Sequence, residues 1–287
     1  MSFAFFTVLL GSFLFGLEPV IIKHLQMEGY SSFYIVFWLF LVSLAVYVFQ
    51  ASRKERVKPS LPLATSMLLT GAAGMGITTL LLTLSYHYIQ TSTATLIHFT
   101  YPVLVVLCMS LLYHQSFTKS KAAACILSLM GMSCITNFTF SGRLPGYLLA
   151  FLSAATYAFY DVANEKGRFA KLPPYTKMAF LSLGVVVLFG FLCLIFQIPL
   201  LPRRPLDAFL TLSIGLMNCF GYVGVMHGLQ VIGAAKTAFA ATMEPVASLA
   251  LSILVYHDTF SPVSFLGILL IFLSMFAIMR PSDTFSS

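Results

Sequence analysis

The chain has 287 residues, of which 59% are hydrophobic and only 9% are charged. Soluble domains carry about 25% charged residues, so this composition excludes an ordinary water-soluble protein and is typical of one that lies in a lipid bilayer. The net charge of +7 would suit a nucleic-acid-binding protein, but the basic residues lie in short connections between apolar runs, so we expect no nucleic-acid partner.

Ten apolar runs follow one another along the chain. A helix needs about 20 apolar residues to cross a bilayer, and helices satisfy their backbone polar groups within lipid. The predicted fold is an all-α integral membrane protein with ten transmembrane helices and no extramembrane domain. The predicted spans are residues 3–23, 32–51, 63–86, 91–113, 121–138, 146–163, 177–198, 207–229, 235–257 and 262–280.

Lysine and arginine are retained in the cytoplasmic loops of membrane proteins. With the N-terminus inside, twelve basic residues fall on the cytoplasmic side and four on the other. We therefore expect both termini in the cytoplasm and a multi-pass protein of the cell membrane (plasma or inner membrane). The cytoplasmic set is Arg53, Lys54, Arg56, Lys58, Lys119, Lys121, Lys166, Arg168, Lys171, Lys177, Lys236 and Arg280, and the opposite set is Lys23, Arg143, Arg203 and Arg204.

The two halves of the sequence match each other at one fixed spacing. Pro245 follows Pro102 by 143 residues, and the same shift places Asp161 on Glu18 without a gap. Chance matching of apolar residues explains such a pattern poorly, so we predict an internal duplication. Further aligned pairs are Ile89 and Ile232, Val103 and Val246, Leu111 and Leu254, Tyr113 and Tyr256, His114 and His257, Phe117 and Phe260, Met132 and Met275, and Ile135 and Ile278.

The predicted halves are residues 1–140 and 141–287. Each half contains five predicted spans, which is an odd number, so the second half must enter the membrane from the opposite side. The repeats are therefore expected to be inverted. Inverted repeats form two similar openings around a midplane site, as alternating access requires.

The segments around the two prolines carry family-like features. Residues 92–135 contain a mid-helix proline, and residues 235–278 contain Glu-Pro-Val with an acid, Asp258, thirteen residues after the proline. Together with residues 146–166, they resemble the EamA-like branch of the drug/metabolite transporter superfamily. One departure is Gln115, which stands where that family usually has an acid at the end of its fourth helix. The resemblance implies two five-helix units that export or exchange small metabolites, amino acids among them, through a central cavity.

Glu244 is the predicted midplane charge. It lies about nine residues into the ninth predicted span, roughly 14 Å along the helix. Pro245 is expected to free the carbonyl of Ala241 as a further acceptor. Because charges within a bilayer are costly, we interpret Glu244 as a ligand for a substrate amine or as a proton carrier. The alternative is a protonated glutamate bonded to a neighbouring helix.

His98, Tyr101 and Val105 share one face of the fourth predicted span. Tyr101 is also the repeat equivalent of Glu244. His98 and Tyr101 are therefore candidate cavity residues, and a histidine at this depth is a candidate for proton coupling. The alternative is packing between helices.

Three further polar residues complete the predicted site. Glu18 lies near the outer end of the first span, where it takes part in gating or lies at the membrane interface beside Lys23. Asn218 and Tyr222 belong to the eighth span and are compatible with lining the cavity or with hydrogen bonds between helices. Asp161, the repeat equivalent of Glu18, is expected near the cytoplasmic end, where solvation is easier.

Glycine is frequent in the third and eighth predicted spans. Small residues let helix backbones approach closely, so packing is the simpler interpretation. Their recurrence in both halves is also compatible with moving elements of a rocking mechanism. The residues are Gly71, Gly74, Gly76, Gly215, Gly221, Gly224 and Gly228.

The predicted function is secondary, non-ATP transport of small metabolites, because the chain lacks a phosphate-binding GxxxxGK[ST] loop. The deepest predicted charge is acidic, so amino acids or related amines are the expected cargo, and the expected direction is export. A nucleotide-sugar or lipid-carrier exchanger or flippase is the alternative, although anionic cargo would favour deep basic residues. Proton antiport, exchange and facilitated diffusion stay open, as do a monomer and a homodimer.

An intramembrane enzyme is the alternative of another class. It would need clustered catalytic residues, but the sequence contains no HExxH or GxSxG motif. The six histidines are scattered, and the five cysteines all lie in apolar runs without a CxxC pair. We therefore expect no enzymatic activity, no cofactor and no metal site.

Overall fold

The computed structural model describes residues 2–55, 57–135, 142–247 and 261–279. Within these residues the one extended pairing is a bridge between Ile89 and Gly142, so they contain no sheet. A π-helical turn, Gly71–Gly76, joins α3 to α4, and residues 243–247 are also helical. The α-helices are α1 (Ser2–Met27), α2 (Ser32–Lys54), α3 (Leu61–Thr70), α4 (Ile77–Ser85), α5 (Thr91–His98), α6 (Tyr101–Tyr113), α7 (Lys119–Ile135), α8 (Leu144–Lys166), α9 (Pro174–Ile195), α10 (Pro205–Val231), α11 (Ala234–Ala240) and α12 (Pro262–Met279).

Some sequence predictions fall outside the described residues. The boundary between the halves and the second part of the ninth predicted span are among them. Both prolines of the repeat, Pro102 and Pro245, lie within the described chain. The predicted positions outside it are Arg56, Leu254, Tyr256, His257, Asp258, Phe260 and Arg280.

Seven helical segments of the described chain are long and apolar enough to cross a membrane. They correspond to the first four predicted spans and to the seventh, eighth and tenth. A helical, multi-pass membrane protein is therefore confirmed, whereas the total of ten spans stays a prediction. The seven segments are Phe3–Met27, Ser32–Lys54, Leu61–Ser85, Thr93–Tyr113, Pro174–Ile195, Pro205–Val231 and Pro262–Met279.

The helical backbone is interrupted before each proline of the repeat. The predicted span 91–113 is present as an apolar segment, but its helix is interrupted, since α5 ends at His98 and α6 begins at Tyr101. Pro102 has no N–H to donate, and its ring crowds the carbonyl four residues earlier, which is the physical reason for the break. In the second half, α11 ends at Ala240 and helical backbone resumes at residue 243, ahead of Pro245.

The helices pack mainly across the two halves of the chain. α1 lies against α10, α2 against α9, α4 against α8, and α7 against α12. α6 contacts both α8 and α11, whereas the consecutive helices α1 and α2 touch only slightly. A two-fold relation between the halves would produce this exchange of partners. The inversion of one half relative to the other stays a prediction.

Glycines allow the closest helix contacts. A Cβ atom on Gly11 of α1 would lie 2.6 Å from the carbonyl oxygen of Gly221 on α10. A Cβ atom on Gly71 would collide with the carbonyl of Leu181 on α9, and one on Gly184 with the backbone of α3. Backbone cannot yield as a flexible side chain does, so these positions support the packing interpretation of the glycines.

One end of the bundle, which we call the basic end, is where α2 and α8 finish at Lys54 and Lys166. Glu55 follows α2, and its carboxylate accepts hydrogen bonds from the backbone N–H groups of Tyr175 and Thr176 at 3.0 and 2.6 Å. These N–H groups open α9 and have no partner within that helix, so Glu55 joins α2 to α9.

The opposite end, which we call the Arg204 end, is also closed by polar contacts. Arg204 pairs with Glu28 and, at 3.1 Å, with Asp207 in the first turn of α10. The Tyr30 hydroxyl donates to Asp207 Oδ2 at 2.9 Å and accepts from the backbone N–H of Arg203 at 2.6 Å. The connection between α1 and α2 is therefore bonded to the start of α10.

Candidate functional site

Glu18 projects from α1 into the interior. Only 8% of the residue is exposed, and its Oε1 atom has no hydrogen-bond partner. The carboxyl interacts with Asn218 and with Glu244. Lys23 instead donates to the carbonyl of Tyr86 at 2.9 Å. The interfacial interpretation of Glu18 is therefore wrong, because the carboxyl is buried and Lys23 is bonded elsewhere.

Glu244 lies in the helical residues that follow the break after α11 and is partly buried. Its carboxyl interacts electrostatically with Glu18 of α1, Tyr101 of α6 and Tyr222 of α10. It also interacts electrostatically with Tyr86, which directly follows α4. The groups that interact with Glu244 therefore come from α1, α6, α10 and the end of α4.

The turn ahead of Pro245 differs from the sequence prediction. The backbone N–H of Glu244 donates to the carbonyl of Ala241 at 3.0 Å. The prediction that this carbonyl is a freed acceptor is therefore wrong. The chain leaves the helix at Ala241 and closes a tight turn, which supplies the donor that proline lacks.

Tyrosine rings form a continuous row through the interior. The ring centroids of Tyr101 and Tyr157 are 4.7 Å apart, those of Tyr157 and Tyr160 5.6 Å, and those of Tyr160 and Tyr222 5.8 Å. Phe15 of α1 packs edge to face on Tyr222 at 5.0 Å. All four tyrosines are buried. The faces of such rings attract cations.

Asp161 of α8 lies beside this row. The residue is 1% exposed and its Oδ1 atom has no hydrogen-bond partner. The carboxyl interacts electrostatically with Tyr101, Tyr160 and Tyr222. The expectation of easy solvation near a helix end is therefore wrong. The alignment of Asp161 with Glu18 was the signal in the sequence that could have placed it in the site.

His98 ends α5 and is 6% exposed. Its Nδ1 atom lies 2.9 Å from the hydroxyl of Ser153 on α8, and its ring centroid is 5.4 Å from those of Tyr101 and Tyr157. Tyr101 in turn donates from its hydroxyl to the carbonyl of Ala238 at 3.3 Å. Both residues thus make interhelical contacts, and a part for His98 in proton coupling stays a prediction.

Asn218 and Tyr222 face the same region from α10. Asn218 is 3% exposed, and its Oδ1 atom accepts a hydrogen bond from Ser43 of α2 at 3.2 Å. The ring of Tyr222 lies between those of Phe15 and Phe40 at 5.0 and 6.0 Å. Asn218 thus bonds to a neighbouring helix and also lies beside the carboxyl of α1.

The structure brings these side chains together in one acid–tyrosine cluster. Tyr157 and Tyr160 were not predicted as members, although their spacing from Asp161 places all three within one turn and a half of a helix. Five helical segments (α1, α6, α8, α10 and residues 243–247) supply all members except Tyr86, which directly follows α4, and sequence order alone does not reveal this grouping. The cluster comprises Glu18, Asp161, Glu244, Asn218, Tyr86, Tyr101, Tyr157, Tyr160 and Tyr222.

The acid–tyrosine cluster consists of acidic and neutral polar side chains. In the described part of the chain, the groups found to interact with its three carboxyls are acids, tyrosines and an amide, and no lysine or arginine is among them. Unpaired buried carboxylates are costly. The arrangement therefore suits a positive charge brought from outside, such as a proton or an ammonium group. Within the described residues, no group of three or more His, Cys, Asp or Glu is placed to hold a metal ion.

Comparison with known proteins identifies the family. The model of the EamA-like transporter family matches residues 2–137 and 144–280. A protein of Synechocystis sp. named uncharacterized transporter sll1319 is 24% identical over 204 residues. That alignment covers 68% of this chain but only 60% of the Synechocystis protein, so the chain spans less than two thirds of this relative's length.

A solved crystal structure shares the fold. It superposes with a TM-score of 0.79 at 17% sequence identity and covers 97% of both chains. At this level of identity the match concerns the fold alone. Because the family model matches both halves of the sequence, the resemblance to this family is confirmed: the chain belongs to the EamA-like transporter family and is a multi-pass membrane protein.

Proposed function

We propose that this protein is a secondary transporter that exports amino acids or related amines by alternating access around the acid–tyrosine cluster. The observation that carries the proposal is the convergence of Glu18, Asp161 and Glu244 on buried tyrosine rings without a basic partner in the described chain. A cargo ammonium group supplies the missing positive charge, and the ring faces stabilise it further.

Anionic cargo is the competing class. A nucleotide-sugar or lipid-carrier exchanger would need arginine or lysine at the centre, where phosphate oxygens could be bound. Lys177 is fully buried, but it begins α9 at the basic end and donates to the carbonyl of Ala170 at 3.3 Å. It is therefore already bonded, and it is not among the groups found to interact with the three carboxyls. The cluster favours cationic or zwitterionic cargo.

The proposal also covers the orientation of the protein in the membrane and the coupling of transport to protons. We place the basic end in the cytoplasm, with the protein in the plasma or inner membrane, because lysine and arginine are retained on that side. The Arg204 end, with the ion pairs of Arg204 to Glu28 and Asp207, then lies on the outer side. Glu18 and Glu244 interact directly, so a proton or a cargo ammonium group can satisfy the pair in turn. Such competition would couple export to proton entry. The protein acts as a monomer or a homodimer.

Counterflow in proteoliposomes tests this function. Proteoliposomes that contain the purified protein are loaded with unlabelled leucine, lysine, putrescine or glutamate. Uptake of the same solute in labelled form is then followed with and without a pH gradient. We expect the ammonium-bearing solutes with little net negative charge to be exchanged and glutamate to be excluded. A pH gradient that drives accumulation would support proton coupling, whereas equal exchange without it would support facilitated diffusion.

Two variants sharpen the assay. Glu244→Gln removes the charge at nearly constant shape and is expected to lower exchange at least tenfold, because one charge-assisted hydrogen bond is worth about 1.5–3 kcal/mol. Glu28→Gln, at the Arg204 end and outside the cluster, is the matched control. Normal transport by Glu244→Gln at every pH would contradict the assignment. Absence of flux for all amines, with turnover of a lipid or peptide in detergent micelles, would indicate an enzyme instead.

A further inference from the structure

A cavity of about 450 Å³ lies at the basic end of the bundle. Its volume is within the usual range of small-molecule sites. Among its lining residues, Asn164 and Glu165 come from the end of α8, Lys171 and Leu172 from the connection to α9, and Gln230 from α10. Asn164 follows Asp161 by three residues, so the cavity lies one helical turn from the acid–tyrosine cluster.

Side-chain hydrogen bonds hold the wall of this cavity. Gln230 donates from Nε2 to the carbonyl of Leu172 at 2.9 Å, and Lys177 donates to that of Ala170 at 3.3 Å. Both bonds fix the connection between α8 and α9 to neighbouring helices. The cavity is therefore formed by tethered backbone, which is the arrangement expected of a preformed binding site.

Two buried acceptors without donors follow one another from the cavity inwards: one belongs to Asn164, which lines the cavity, and the other to Asp161, one helical turn earlier on α8. Asn164 is 1% exposed; its amide donates from Nδ2 to the carbonyl of Tyr160 at 2.9 Å, but its Oδ1 atom has no partner. Asp161 Oδ1 is also unpartnered. The two residues lie three positions apart on α8, so they share a face. A buried acceptor is normally hydrogen-bonded, and both of these atoms lack a donor.

Glu165 does not provide a further acceptor of this kind. Its Oε1 atom pairs with Lys166 at 2.8 Å, and its Oε2 atom accepts from the backbone N–H of Ala234 at the start of α11. A ligand group with several donors and no acceptor matches what Asn164 and Asp161 lack. A primary ammonium group has three donors and no acceptor.

We propose that this cavity is a loading site for a cargo ammonium group, which Asn164 binds before the group moves on to Asp161. The proposal rests on the proposed function, because it assigns the first binding step of the same transport path. Lys171 is exposed on the cavity wall and supplies a positive charge for a carboxylate. An amino acid would therefore enter with its ammonium group first and its carboxylate towards Lys171.

Binding measurements test the site without requiring transport. Leucinamide, leucine and N-acetylleucine are titrated by calorimetry into the full chain in detergent, in a Glu244→Gln background that weakens the central site. Leucinamide carries only the ammonium group and N-acetylleucine only the carboxylate. Leucinamide and leucine should therefore bind, whereas N-acetylleucine should not. Lys171→Gln should weaken leucine but not leucinamide.

Variants of Asn164 provide the decisive comparison. Asn164→Leu removes the acceptor at similar volume and should weaken leucinamide about tenfold, the effect of one hydrogen bond to a charged group. Asn164→Asp adds a negative charge and should tighten leucinamide, which a misfolded protein would not do. Gln50→Leu, which makes a similar amide-to-leucine change near the end of α2 and outside the cavity, should bind like the wild type.

Transport from the two sides gives a second readout. In proteoliposomes of known orientation, Asn164→Leu should raise the KM for leucine presented at the basic end several-fold. The KM for leucine presented at the opposite face should stay within about twofold of the wild-type value, because cargo from that face reaches the central cluster first. An equal change at both faces would place Asn164 in the central site and overturn the loading role.

The remaining outcomes separate this inference from the proposed function. If Asn164→Leu and Asn164→Asp both bind leucinamide like the wild type, the cavity holds only water and the inference fails, whatever the transport assays give. If the variants change binding as expected but the wild type moves no amine, the proposed function fails and the cavity remains a binding site for ammonium groups.

Discussion

Tyr101 and Glu244, which the 143-residue shift places at equivalent positions of the two halves, interact electrostatically in the interior of the protein. Each stands directly before a proline and just after an interruption of the helical backbone. The duplicated feature is thus a broken helix with a polar residue beside the break. One copy carries a phenol and the other a carboxyl, so the two halves do not contribute the same chemistry to the site.

We expect Glu18 to be required for transport of ammonium-bearing solutes. Glu18→Gln keeps the shape of the side chain but removes one of the two interacting carboxyls, so exchange of labelled leucine should fall at least tenfold. Glu28→Gln, directly after α1 at the Arg204 end and outside the cluster, should retain most of the activity. Equal activity of Glu18→Gln and the wild type between pH 5.5 and about pH 8 would show that the carboxyl only supports the structure.

We expect the aromatic ring of Tyr157 to contribute more to cargo binding than its hydroxyl does. Tyr157→Leu removes ring contacts with His98, Tyr101 and Tyr160, and it removes an aromatic face worth about 0.5–2 kcal/mol to a bound cation. The KM for leucinamide should therefore rise about two- to thirtyfold. Tyr157→Phe retains the ring and should stay within a factor of about two. The hypothesis of cation binding by the tyrosine row would be rejected if both variants gave the same KM.

We expect a methyl group at Gly71 to destabilise the protein strongly. Its Cβ atom would collide with the carbonyl of Leu181, and overpacking of this kind costs about 1–3 kcal/mol or more. Gly190→Ala is the matched control, because its Cβ atom would meet only the Phe37 ring at 3.2 Å, and that side chain can shift. Thermal unfolding in detergent should show a much lower midpoint for Gly71→Ala alone. Similar midpoints would mean that α3 and α9 separate easily.

We expect the contribution of Tyr30 to stability to depend on pH. Burial is the main cause that raises the pKa of Tyr30 above its ordinary value of 10.0, and Asp207 adds to the effect while the N–H of Arg203 opposes it. Since the folded pKa exceeds the unfolded one, the stabilisation is fully present below about pH 10 and is lost as the pH rises through the folded pKa.

Tyr30→Phe tests this dependence. At neutral pH the variant should lose about 1–3 kcal/mol of unfolding free energy, because it lacks the hydrogen bond to Asp207 and leaves that carboxylate short of a donor. The difference from the wild type should shrink above pH 10. Denaturant unfolding in micelles at pH 7, 9 and 11 measures it, with Tyr88→Phe as the exposed control. A difference that stays constant to pH 11 would contradict the titration of Tyr30.

Sequence patterns were sufficient for the class of protein and for part of the site. Glu244 stands out because a charge inside an apolar run is costly, and Tyr101 and Asp161 can be found by the repeat shift. Tyr157 and Tyr160 could not be separated from the other tyrosines, since interfacial anchors and interior residues share the same composition. Glu18 was misplaced because its position along α1 says nothing about which neighbour covers it.

The apolar periods and the basic connections determined that this chain is a helical membrane protein, because lipid forces every backbone polar group to be satisfied within its own helix. Only the tertiary structure decided that Glu18 interacts with Glu244 and Asn218, and that a cavity lined by Asn164 lies one helical turn from Asp161. Those contacts join helices far apart in the sequence, and close backbone packing at glycines such as Gly11 and Gly71 sets them. Helix formation is local, whereas the choice of packing partners depends on the shapes of all the helices at once.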